Sequence, residues 1–496
     1  MTYLRPGVYV EESLNAISPV GGASAGSVAA FMGATDKGPT VATLVTSWSQ
    51  YTSLYGSWGT LNDVTTAVYL FFANGGSQCY ISRVTAGDAA TATRTFNDTN
   101  TTPAATLVLA AKNPGAWGNS INVTISSSVI TGYFDVTVFY GGTTTANVVE
   151  RFTDVTMLNS DPRYAVTVIN GASTYLTATD SSPSDSHAAA DNPANTANAS
   201  LSTGADGTAL TAANIAAGTS KFDTVDVPLV LNVPGLVTST DVNSVISYIA
   251  ARGDIFLVID PIVDTVSAQL TRADAYTASS QAAVYYPSLT IPNPTSVASG
   301  ATKVVPSGGA VVGQFMATDA ARGVFKSPAG LSNRLAGVVS VPKLTNAELD
   351  SLNSAVAPVN AIRYIPGSGI VIMGARTLKP GYADRYVSVR RSLIYLRKSL
   401  SDMTQFAIFE PNDFRLWRRV TTTVESFLTD FWNQGGLRGV TPADAFFVKC
   451  DAENNPLVSI ENGQVNIEVG VALQRPAEFV VIRISQYDSG AVVTIA

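Results

Sequence analysis

Apolar positions follow several rhythms along this chain of 496 residues, and the changes of rhythm divide it. Val227–Val233 and Ile255–Ile259 are unbroken apolar runs of buried-strand length. Between them Val242, Val245, Ile246 and Ile249 fall at helical spacing, and Gly253 stops the run. Strand, helix and strand in close succession predict a βαβ unit, and with it a parallel sheet. Ser27–Met32, Cys79–Val84 and Ile370–Met373 read as further strands, and Val64–Ala73 as a helix halted by Asn74-Gly75-Gly76.

Beyond Gly87 the pattern becomes short and alternating. In Phe134–Phe139 the residues Phe134, Val136 and Val138 share one face, and Ile121–Ile125 is a similar segment. Residues 89–204 therefore read as an inserted, β-sandwich-like domain. Its far end, Thr177–Thr203, is Ala-rich, polar and without periodicity, which predicts an exposed loop of low complexity. The α/β pattern on either side, 26–88 and 205–377, then forms one discontinuous domain.

Residues 378–475 read as a C-terminal α+β domain. Tyr386, Val389, Leu393, Leu396 and Leu400 mark one helical stripe; Trp417, Val420, Val424, Phe427, Leu428 and Phe431 mark a second. Asn412 or Asp413 can cap the second helix, Gly435-Gly436 ends it, and Thr441-Pro442-Ala443-Asp444 approximates a capping box. Strands are expected at Phe446–Cys450, Val465–Leu473 and Phe479–Ile484. Residues 1–25 read as an extended arm whose short strand, around Tyr9 and Val10, has no hairpin partner nearby. Residues 476–496 form a second arm.

Composition narrows the chemistry. Only 14% of residues are charged, well below the roughly 25% usual for soluble domains, so part of the surface is expected to be covered by partners. A net charge of −7 argues against nucleic-acid binding. Cys79 and Cys450 cannot make a disulfide framework or a four-thiolate zinc site, and read as free thiols in a reducing compartment. The opening residues lack the apolar core of a signal peptide, and no run reaches the roughly 20 apolar residues that span a bilayer. That predicts a chain made in a cytoplasm and not inserted in membranes.

No catalytic, cofactor or metal site is expected. The single histidine, His187, lies in the polar loop and cannot serve a rigid triad. No Gly-Lys pair exists for a phosphate loop, and Gly308–Gly313 reads as a turn and strand. Asp254, Asp260 and Asp264 flank a strand end, where α/β enzymes place sites, yet turn chemistry beside Gly253 and Pro261 explains them. Arg390 and Arg391 on one C-terminal helix, with Arg415, Arg418 and Arg419 on the next, form a local basic group. It is either a solvated face or a docking surface for an acidic partner.

Several segments, in order, resemble contractile phage tail sheath proteins: Pro6-Gly7-Val8-Tyr9-Val10-Glu11-Glu12, Thr46-Ser47-Trp48-Ser49-Gln50-Tyr51, Asn113-Pro114-Gly115-Ala116-Trp117-Gly118-Asn119, Gly374-Ala375-Arg376-Thr377, Phe409-Glu410-Pro411-Asn412-Asp413 and Arg475-Pro476-Ala477-Glu478-Phe479. The sheaths of R-type pyocins and extracellular contractile injection systems are similar. The resemblance implies a non-catalytic, subtilisin-like middle domain and a tube-facing C-terminal domain. It implies a virion tail component, assembled in the host bacterial cytoplasm, that stacks as hexameric rings and contracts. Its expected partners are further copies of itself, the tail tube, baseplate and tail terminator proteins. It further implies strand exchange between subunits, which Val8, Tyr9, Val10 and Glu11 at one end and Phe479, Val480, Val481 and Ile482 at the other would supply. The five arginines would then contact an acidic tube. Two other readings fit less well: a subtilisin-like hydrolase needs a histidine on a rigid element, and a secreted β-rich adhesin, suggested by the Thr/Ser-rich insertion, needs a signal peptide.

Overall fold

The computed structural model describes residues 26–59, 63–181, 191–236, 238–261, 265–296, 298–381 and 385–478, and the backbone of 482–487 and 490–495. Residues Val8 to Glu11, His187, Asp264 and Phe479 to Val481 fall outside these ranges.

The first described elements are β1 (Val28–Gly33), β2 (Thr43–Val45), α1 (Trp48–Tyr55), α2 (Asp63–Ala73) and β3 (Cys79–Arg83). Then come β4 (Thr93–Asn97), β5 (Ala105–Ala111), β6 (Ile121–Ser127), β7 (Phe134–Tyr140), β8 (Val148–Val155), α3 (Ala165–Ala172), β9 (Leu176–Asp180) and β10 (Thr196–Ser200). The α/β pattern resumes with α4 (Ala212–Ser220), β11 (Leu229–Asn232), α5 (Ser239–Arg252), β12 (Ile255–Ile259), α6 (Val266–Asp274) and β13 (Ala282–Tyr286). After the hairpin β14 (Leu289–Pro292) and β15 (Thr302–Val305) follow α7 (Gly308–Arg322), α8 (Asn346–Ser354), β16 (Val359–Ile365) and β17 (Gly369–Ile372).

One sheet runs β17-β16-β13-β12-β11-β1-β3-β2. Its six inner strands are parallel, and only the edges β17 and β2 are antiparallel. The expected βαβ unit is β11-α5-β12, with Leu229 opposite Ile255. Alternation divides the sheet between two cores. Phe256 and Val258 face α2 and α7, while Ile255, Leu257 and Ile259 face α5 and α6. A sheet covered by helices on both faces explains why its strands read as continuous apolar runs.

Gly308–Gly313 is helical, not a turn and strand. It forms the first part of α7, and its glycines permit close packing on α2. A Cβ on Gly309 would lie 2.2 Å from the Ala67 carbonyl oxygen, and one on Gly313 2.7 Å from that of Phe71. Contact between helix backbones, not phosphate, explains the glycines.

The segment from Ala92 to Leu201 has its own core, shared by a three-stranded sheet (β4-β5-β9) and a four-stranded one (β10-β6-β7-β8). Phe134, Val136 and Val138 all point into it. Thr177–Thr203 is not one exposed loop, because β9 and β10 lie in it. Its inward positions are small or polar, such as Ala178, Ala199 and Asp180, the last accepting a 2.7 Å hydrogen bond from the Tyr164 hydroxyl. That conceals the alternation. Lys37, in the β1–β2 connection, lies over the rings of Tyr140 and Tyr175 and joins the two regions.

The C-terminal part contains α9 (Val387–Met403), α10 (Phe414–Asn433), α11 (Pro442–Ala445), β18 (Phe446–Lys449), α12 (Leu457–Glu461) and β19 (Glu468–Val471). It ends in β20 (Ile482–Tyr487) and β21 (Gly490–Ile495). Leu416, Val420, Val424, Phe427, Leu428 and Phe431 bury one face of α10, with Val465, Ile467, Val469, Val471 and Leu473 packed against the same cluster.

Candidate functional site

Two charged contacts weld the C-terminal region to the parallel sheet. Arg391, 1% exposed, makes a bidentate pair with Asp319 of α7, and its guanidinium lies 4.9 Å from the Phe315 ring centre. Arg390 is buried as well. Arg390 and Arg391 therefore do not belong to an exposed basic face. The first half of α9 is wedged between α7 and the C-terminal core, so both of its sides are covered. Its unusually polar stripe, with Ser388, Ser392 and Ser399 also buried, records that position.

The second contact joins two of the segments singled out in the sequence. Arg376 donates to both Glu478 oxygens, from Nε at 2.8 Å and from Nη2 at 2.6 Å. Its Nη1 reaches the Asn353 carbonyl, and the Tyr386 hydroxyl donates to Glu478 at 3.2 Å. The side chain of Asn360 holds the Arg376 backbone on both sides, accepting from its N–H and donating to its carbonyl. The guanidinium is thus built into the end of the sheet, and it fixes the chain just before β20. No periodicity could have revealed a pair 102 residues apart.

Beyond this anchor, Ile482 begins β20, opposite Ile495 of β21. The hairpin forms a sheet of its own, and β18-β19 forms another. Among the described residues each strand thus has one edge without a ladder partner, which is a template for an added strand.

Arg415, Arg418 and Arg419 are exposed on the first turns of α10. Asp413, not Asn412, caps that helix, accepting from the N–H groups of Arg415 and Leu416. Asn412 instead bridges the Trp417 indole and the Gln464 carbonyl. The Arg419 guanidinium lies 4.3 Å from the Phe406 ring centre. Nearby Phe409 is 89% exposed, with a backbone φ of 65° that is sparsely populated by bulky side chains. In the sequence Phe409 stands out only through the resemblance of the segment Phe409 to Asp413, since no spacing marks a lone exposed ring.

The carboxylates at the sheet edge are structural. Asp254 pairs with Arg252. Asp260 receives the Gly308 N–H at 2.7 Å and the Asn232 amide at 3.1 Å, so the protein's own carboxylate occupies the N-terminus of α7. Burial pushes its pKa up to about 7. Cys79 is buried and Cys450 half-buried, both as free thiols. Among the described residues no group of His, Cys, Asp and Glu could hold a metal ion, and no helix is long and apolar enough to cross a membrane.

Residues 383–486, which span α9 to β20, match the phage tail sheath C-terminal domain. This part of the chain belongs to that family. A tail sheath protein of Vibrio phage KVP40 is 26% identical over 181 residues. That alignment takes in 36% of this chain and 26% of the relative, so the match spans about a quarter of the relative's length. The sheath fold extends over the whole chain. The contracted sheath of the anti-feeding prophage superposes with a TM-score of 0.59, at 23% identity, covering 98% of this chain and 100% of the other. The contracted PVC sheath, from an extracellular contractile injection system, gives 0.57 at 22% identity with 99% of both chains covered. A sheath tail protein from Listeria innocua gives 0.62 at 12% identity, covering 87% of this chain and 90% of the other. Within the matched residues lie the exposed arginines of α10, Glu478 and nearly all of β20, whereas Arg376 and β21 lie outside them.

Proposed function

We propose that this chain is the sheath subunit of a contractile phage tail. It polymerises as stacked hexameric rings around a tail tube and contracts to drive the tube through the host envelope. The observation that carries this reading is the sheath C-terminal domain at residues 383–486 on a chain whose whole length has the sheath fold. The role is structural and not catalytic. In this reading the α/β part is the non-catalytic, subtilisin-like domain, and the inserted pair of sheets is a β-sandwich-like domain facing outward. The tail tube, baseplate and tail terminator proteins are the further partners, and assembly takes place in the host cytoplasm before the sheath joins the virion.

Strand exchange supplies the linkage between subunits. Val8, Tyr9, Val10 and Glu11 of one copy add to an open strand edge in the C-terminal region of another, and the segment Phe479 to Ile482 leads into that region. Backbone hydrogen bonds tolerate sliding at other surfaces, so subunits can rotate while staying linked. Arg415, Arg418 and Arg419 face an acidic tube; Arg390 and Arg391 do not take part.

A second reading, the sheath of a phage-derived injection system or pyocin, is favoured by the full-length likeness in fold to the anti-feeding prophage and PVC sheaths. Both readings share the mechanism. Electron microscopy of the purified chain, alone and co-expressed with its candidate tube protein, tests it. Stacked rings are expected, and a chain that stays monomeric with the tube present would overturn it.

A further inference from the structure

The inserted segment leaves the parallel sheet at Arg83, the last residue of β3, and returns at α4. Its two crossings run side by side as a narrow antiparallel ribbon, with bridges between Ala90 and Ala205 and between Thr93 and Ser202. The Asp88 carboxylate closes the base of the ribbon by accepting the Thr208 N–H at 3.1 Å. A lone pair of strands is only marginally stable by itself, and regions joined by a small contact move against one another by default. The angle between the inserted core and the sheet therefore depends on what else spans the junction.

Lys37 spans it. The residue is only 9% exposed, and among the described residues its ammonium pairs with no carboxylate. Nζ lies instead 4.9 Å from the ring centre of Tyr140 and 5.4 Å from that of Tyr175. The two rings come from different sheets of the inserted core: Tyr140 ends β7, and Tyr175 precedes β9. They lie 5.5 Å apart, with Trp117 within 6.3 Å of both. Desolvating an ammonium is costly, and the negative faces of the rings offset that cost. The loop that presents Lys37 is fixed from the sheet side. Arg83, 1% exposed, donates from Nε to the Thr35 carbonyl at 3.1 Å and from Nη1 to the Gly38 carbonyl at 3.2 Å. One guanidinium thus holds the chain on both sides of Lys37 and stands at the root of the ribbon.

We propose that Lys37 is a latch: its ammonium, seated on Tyr140 and Tyr175, holds the inserted domain at one angle to the parallel sheet. When that contact is lost the domain swings on the ribbon of residues 88–93 and 202–208. The contact consists of one cation and two rings, so it opens and recloses without unfolding either core. Arg83 is a positioning residue for the latch, acting through the backbone around Lys37. The latch is a property of the single chain and holds whether or not copies assemble.

Single-molecule energy transfer within the full-length chain tests it, at concentrations where each molecule is observed alone. With Cys450→Ser as background and Cys79 buried, dyes are attached through Val129→Cys and Ala250→Cys. Val129 is fully exposed at the tip of the β6–β7 hairpin, and Ala250 is exposed on α5. The labelled parent is expected to show one narrow population. Lys37→Met keeps the length of the side chain and removes its charge. It should split or shift that population, with a roughly 2- to 30-fold loss in the ratio of latched to open molecules. Lys37→Arg, which keeps a cation, should match the parent. Replacing both rings, Tyr140→Leu with Tyr175→Leu, tests the same contact from the other side and should reproduce the effect of Lys37→Met. Adding Lys37→Met to that pair should change nothing further. Melting temperatures matching the parent establish that each variant folds. A Lys37→Met chain with the parent's population would overturn the latch, as would a parent that is already spread over many distances.

Discussion

Arg376 and Glu478 are joined by two hydrogen bonds across 102 residues of sequence, tying the end of the parallel sheet to the root of the terminal hairpin. Force passed between subunits through an exchanged strand would enter the body of the protein here. The pair is partly buried and charge-assisted, and a third donor, Tyr386, supports it.

Glu478→Ala is therefore expected to cost about 1–3 kcal/mol locally. Cleavage by a dilute protease within residues 476–496 should accelerate, while the thermal midpoint of the sheet domain moves little. Equal cleavage rates in variant and parent would show that the pair does not anchor the hairpin.

The two groups of arginines should behave oppositely. Arg391 is buried on Asp319, so Arg391→Ala leaves a carboxylate without its partner and should cost about 3–5 kcal/mol in urea unfolding. Arg418 is exposed, and Arg418→Ala should stay within about 0.5 kcal/mol. Similar losses for both would contradict the division of the basic group.

Charge reversal of Arg415, Arg418 and Arg419 together should weaken binding to the candidate tube protein and flatten its dependence on salt. An unchanged salt slope would remove the tube from this face of α10.

Asp260 links stability to pH. Its folded pKa, about 7, lies above the ordinary 3.8 because burial disfavours the charge. Between those values the folded chain binds the extra proton, so stability falls as pH rises through that window and levels above it. The contribution approaches about 1.4 kcal/mol per pH unit at its steepest. Asp260→Asn should flatten the melting temperature between pH 4.5 and 6.5, roughly the middle of that window. A parent chain that gains stability over the same range, with the variant following it, would refute the assignment.

Much of the fold was legible because burial writes itself into spacing. Val242, Val245, Ile246 and Ile249 mark α5, and the alternation through Val465 to Leu473 marks the layer under α10. Where inward positions were small or polar the pattern failed, as at Ala178 and Asp180 of β9 and at Gly309 and Gly313 of α7. At the C-terminal site, the segments containing Arg376 and Glu478 stood out, but their pairing did not, since nothing local encodes a contact made by the fold. Arg390 and Arg391 misled for a related reason: adjacent arginines on a helix read as surface, and the contact of Arg391 with Asp319 of α7 is made only by the fold.

The most direct measurement is a cryo-electron microscopy map of the assembled chain, compared with the same chain lacking residues 1–25. The expected map contains hexameric rings in which residues 8–11 of one subunit extend a sheet of the C-terminal region of a neighbour, and the truncated chain forms no cylinders. Cylinders that persist without residues 1–25, or a map with residues 8–11 folded against their own chain, would contradict assembly by strand exchange.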